Sequence, residues 1–78
     1  MSNLKPEIFK FKREGNMLLI SCEIEGGGKY ALANQQGVIL IKGDFDTNHK
    51  ISIEELKPGY YTLTLLNAEA IKHFSVTI

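Results

Sequence analysis

The residue types best suited to chemistry gather between Asp44 and Glu55. Asp44, Asp46 and Asn48 bring side-chain oxygens at alternate positions, and Ser52 and Glu55 follow them. That order matches the oxygen ligands of a twelve-position EF-hand calcium loop. Such a loop needs a glycine at its sixth position for the sharp turn, and His49 stands there instead. It also needs helices on both sides. Val38 to Lys42 reads as strand, however, and Pro58 forbids a following helix. The expectation is a solvated acidic segment between strands. Asp44, Asp46, Asn48 and Glu55 are its candidate ligands for weakly held Ca²⁺, and no cofactor is expected.

Other reactive side chains are scattered. His49 and His73 lie in different segments with no companion at metal-ligand spacing, so each reads as a surface or rim residue. Cys22 shares the apolar parity of Leu18, Ile20 and Ile24 and reads as a small core hydrophobe. Nothing beside it in sequence supplies the base or positive charge that a nucleophile requires. Gly26-Gly27-Gly28 is followed by a strand pattern, not by the Lys-Ser or Lys-Thr and helix of a phosphate loop. Tyr30, Tyr60 and Tyr61 could stack on a sugar if they met on one surface. The carboxylate pairs Glu23/Glu25 and Glu54/Glu55 read as solvated surface. These patterns predict no enzyme.

The chain has 78 residues, enough for one domain and too few for a second core and a linker. Hydrophobic residues make up 44% and charged residues 23%, a balance that folds and is neither disordered nor fibrous. Nine basic side chains cancel nine acidic ones. Zero net charge argues against nucleic-acid or polybasic membrane-surface binding, both of which need an excess of positive charge. One cysteine excludes an intramolecular disulfide and a Cys-based zinc cluster. No apolar run exceeds four residues, the length of Met17 to Ile20, which is too short to span a membrane, and no signal peptide is legible.

Positioning all of these is a strand-period pattern that runs almost from end to end. Phe9-Lys10-Phe11-Lys12 alternates apolar and basic residues, as a half-buried strand does. Gly15-Asn16 turns into Met17 to Glu25, with Leu18, Ile20, Cys22 and Ile24 on one face. The three glycines then predict a hairpin into Lys29 to Ala33, because they cost too much backbone entropy inside an element. Asn34 to Gly37 is a turn, and Val38 to Lys42 is a short strand ended by Gly43-Asp44. Phe45 to Lys50 is expected to cross between sheets. Ile51 to Ile53, Tyr60 to Leu66 and Ile71 to Ile78 complete the set. Seven short strands with glycine-bearing turns predict an all-β fold, a small antiparallel Greek-key, immunoglobulin-like β-sandwich.

Leu56, Pro58, Gly59 and Tyr61 form the sharpest structural motif, Leu-x-Pro-Gly-x-Tyr. It resembles the tyrosine corner of Greek-key sandwiches, in which a Tyr opening a strand bonds by its hydroxyl to backbone a few residues upstream. Proline sets φ for the bend, leucine plugs the core, and the Tyr61 ring packs while its hydroxyl serves a backbone group.

From Met17 onward the element order resembles the C-terminal sorting domain of the type IX (Por) secretion system of Bacteroidetes. The matching segments are Tyr30 to Ile39, then Ile51 to Leu63 with its Leu-x-x-Gly-x-Tyr core, then the closing strand Ile71 to Val76. Short secreted β-sandwich proteins of gut Bacteroidetes are a close second resemblance. The first implies a non-catalytic module that directs or anchors cargo at the outer membrane, with secretion machinery as protein partner and a secreted or cell-surface location. The second implies a stand-alone binding or adhesive module, for glycan or for self-association. Either would act through exposed loops and an unpaired strand edge, for which Ile71 to Ile78 is the candidate.

Overall fold

The computed structural model describes residues 8–23 and 26–78. Seven strands follow one another: β1 (Phe9–Glu14), β2 (Met17–Cys22), β3 (Gly28–Ala33), β4 (Ile39–Phe45), β5 (Asn48–Ser52), β6 (Tyr60–Leu66) and β7 (Ile71–Thr77). They form two antiparallel sheets, ordered β1-β2-β5 and β4-β3-β6-β7, with no helix among the described residues. β2 lies beside β5 and β3 beside β6, and the chain passes between layers three times, from β2 to β3, from β4 to β5 and from β5 to β6, the Greek-key connectivity of an immunoglobulin-like sandwich.

Period-two patterning explains which side of each strand is buried. Leu18, Ile20 and Cys22 of β2 face Leu32 of β3 and Tyr61, Leu63 and Leu65 of β6, and all are buried in one core. Phe9 and Phe45 bring aromatic rings from the two sheets to 6.4 Å, and Phe11 and Phe74 to 5.2 Å. No buried side-chain nitrogen or oxygen among the described residues lacks a partner. The core is therefore apolar throughout.

The connections depart from the sequence-based expectation in three places. Gly26 to Gly28 does not close a hairpin: β2 pairs with β1 and β5, whereas β3 pairs with β4 and β6. The glycines instead carry the chain from one sheet to the other. Gly27 has φ +58°, and a Cβ there would lie 1.9 Å from the Phe45 carbonyl oxygen. Close backbone passage, rather than a tight turn, demands glycine there. Second, Gly43-Asp44 does not end β4, which continues to Phe45 and leaves only Asp46-Thr47 to cross to β5. The ring of Tyr30 lies over Gly43, its hydroxyl 2.8 Å from where a Cβ would stand, so the glycine accommodates a cross-strand aromatic. Third, β2 ends at Cys22, and Ile24 and Glu25 lie outside the described residues.

Candidate functional site

The corner that precedes β6 is built as its motif suggests. The Tyr61 hydroxyl donates to the Lys57 carbonyl, and the Tyr61 ring is buried against the core. Leu56 packs partly buried on the same core, and its amide donates to the Ile53 carbonyl. Gly59 exchanges two backbone hydrogen bonds with Ile78, at 2.8 and 2.9 Å, and Pro58 is exposed beside it. These residues hold the fold together and anchor the end of β7.

The acidic segment is drawn out rather than gathered. Asp44 lies near the end of β4, Asp46 in the crossover and Asn48 at the start of β5, while Glu55 falls in the turn beyond Ile53. Asn48 to Ser52 is extended, which alone separates its ends by about 13 Å, so Glu55 cannot close around an ion held by the others. Lys29 Nζ holds Asp44 Oδ1 at 2.7 Å. No group of three His, Cys, Asp or Glu among the described residues could hold a metal ion.

The remaining candidates are also separated. His49 stacks on Tyr30 with ring centroids 5.0 Å apart, and its Nε2 meets the Tyr30 hydroxyl at 3.1 Å. His73 lies in the other sheet, with Nδ1 2.9 Å from the Thr64 hydroxyl. Cys22 is buried, with Sγ 3.7 Å from the Asn67 side-chain nitrogen. Tyr61 is engaged in the corner, Tyr30 faces the core beside Leu65, and Tyr60 begins the same strand on its opposite face, 64% exposed. The three tyrosines form no common platform. At the end of the sandwich an open cleft of about 930 Å³ runs between the glycine crossover, Asp46 and the β6–β7 turn. Asn67 shapes that turn, its side-chain oxygen accepting from the amides of Glu69 and Ala70.

The strand edges differ sharply in how they are covered. β7 is an edge strand, as the sequence suggested, but it is partly closed. The Arg13 guanidinium of β1 donates to the Thr77 carbonyl across the gap between sheets, and Phe11 packs on Phe74 below it. β4 forms the opposite edge of the same sheet. Val38, just before this strand, and Ile39 and Leu40 at its start face solvent at 54%, 54% and 44% exposure. Among the described residues no strand pairs with the outer edge of β4, and consecutive exposed apolar side chains on such an edge mark a surface suited to another strand. The sequence showed the β-branched run but not its edge position, because pairing order is a tertiary property.

No family model and no curated protein matches this chain. No helix among the described residues is long and apolar enough to cross a membrane.

Proposed function

We propose that this chain is a non-catalytic interaction module that meets protein partners along the free edge of β4. The observation that carries this reading is the exposed run Val38-Ile39-Leu40, which leads into an edge strand of a sheet whose opposite edge is latched by Arg13. An incoming extended segment would gain main-chain hydrogen bonds from β4 and apolar contact with these three side chains.

The resemblance of Tyr30 to Ile39 and Ile51 to Leu63 to sorting domains makes secretion machinery the partner class and the cell surface the destination. The test is a reporter, preceded by a signal peptide and followed by residues 1–78, expressed in a Bacteroidetes host with the type IX pathway. Surface display or release is expected. Retention of the same reporter after Val38, Ile39 and Leu40 are all changed to Lys, with an unaltered melting temperature, would tie export to the β4 edge. Periplasmic retention of the unmodified fusion in a working host refutes the sorting role.

The exposed Tyr60 favours a second reading, an adhesive module for glycan. Silence on a glycan array removes it.

A further inference from the structure

The free edge of β4 carries its own complement. Its pairing with β3 is regular from Ile41 to Phe45, and a register shift between Leu32 and Ala33 leaves Leu40 as an extra residue at the limit of that segment. Gly43 is the midpoint of the regular stretch, flanked by Lys42 and Asp44, both exposed and both on the outer face of the sheet. A twofold axis through Gly43, perpendicular to the sheet, sets Lys42 of one copy opposite Asp44 of the other, and does so twice. Moving the axis to Lys42 or to Asp44 sets like charges face to face, which opposes pairing. A shift by one residue in either partner presents side chains to the wrong face.

We propose that two copies of this chain associate by antiparallel pairing of β4 about Gly43, joining their four-stranded sheets into one. This rests on the reading of the β4 edge as the docking surface and names its occupant as a second copy. Asp44 already accepts from Lys29, and a carboxylate has a second oxygen to receive Lys42 of the other copy. In the same register Leu40 and Ile39 fall opposite the other copy's Asp46 and Thr47, just past the paired segment. The chain has zero net charge, so long-range repulsion does not oppose the approach.

The experiment is light scattering and sedimentation across a concentration series for the full chain, for Lys42→Asp and for Asp44→Lys. The unmodified chain should show a reversible monomer–dimer equilibrium. Each single variant sets two like-charge pairs across the axis and should weaken the dimer about tenfold or more. An equimolar mixture of the two variants restores both opposite-charge pairs and should recover a heterodimer. Circular dichroism checks that each variant is folded, and Lys42→Glu with Asp44→Arg serves as a second reversed pair. A strictly monomeric chain overturns the dimer, as does a dimer indifferent to both variants or one not recovered by mixing. The export assay with its Val38, Ile39 and Leu40 variant judges the docking surface separately, so a monomer that is still exported through that edge refutes self-pairing alone.

Discussion

The hydroxyl of Tyr61 donates to the carbonyl of Lys57, four residues upstream. One side chain thereby fills the core and closes the backbone bend that starts β6. The corner also fixes the end of the chain, because Gly59 within it exchanges backbone hydrogen bonds with Ile78.

Replacing Tyr61 with Phe keeps the ring and leaves the Lys57 carbonyl without this donor. Stability should fall by about 1 kcal/mol or somewhat more. Urea denaturation reads this as a lower midpoint with an unchanged slope, and an unchanged midpoint would count against a supporting role for the bond.

Gly27 and Gly15 separate two reasons for glycine. Both have positive φ, but a methyl group at Gly27 collides with the carbonyls of Phe45 and Asp46, whereas one at Gly15 meets nothing within 4 Å. Gly15→Ala should cost about 1 kcal/mol from conformation alone. Gly27→Ala should cost about 2–3 kcal/mol or more, because backbone must move as well. Thermal melts of the two variants check the order.

Arg13→Ala should cost less than about 1 kcal/mol in global stability, since the contact is exposed. Its larger effect should be local. Amide hydrogen exchange in β7 should accelerate while β2 and β3 exchange as before, and uniform exchange throughout would show that Arg13 does not latch that edge.

Leu40→Lys and Leu63→Ala contrast an edge residue of β4 with a core residue of β6, two strands of one sheet separated by β3. Leu63 is fully buried, and its truncation should cost about 2–5 kcal/mol. Leu40 is 44% exposed, and charging it should change stability by no more than about 0.5 kcal/mol. Chemical denaturation measures both.

Millimolar Ca²⁺ should leave the melting temperature unchanged, because a ligand that binds the folded state raises it and the extended β5 keeps Glu55 away from Asp44 and Asp46. A clear upward shift would overturn this.

Strand character was legible because period-two alternation is local. Leu18, Ile20 and Cys22, and likewise Tyr61, Leu63 and Leu65, are spaced so that only an extended chain buries them together. The corner was legible for the same reason, since its donor and acceptor are four residues apart. The glycine run was misread as a hairpin because a tight turn and a close passage between layers both exclude side chains. Only the crowding at Gly27 by residues eighteen and nineteen positions away distinguishes them.

Residue order alone thus determined that extended segments would alternate with bends and which side of each would be apolar, because those properties depend on neighbours within a few positions. Tertiary structure decided which strands lie at the edges, that Arg13 covers β7, and that Val38 to Leu40 stay in water. Those outcomes depend on how distant strands satisfy one another's backbone groups, and many pairings share the same local pattern.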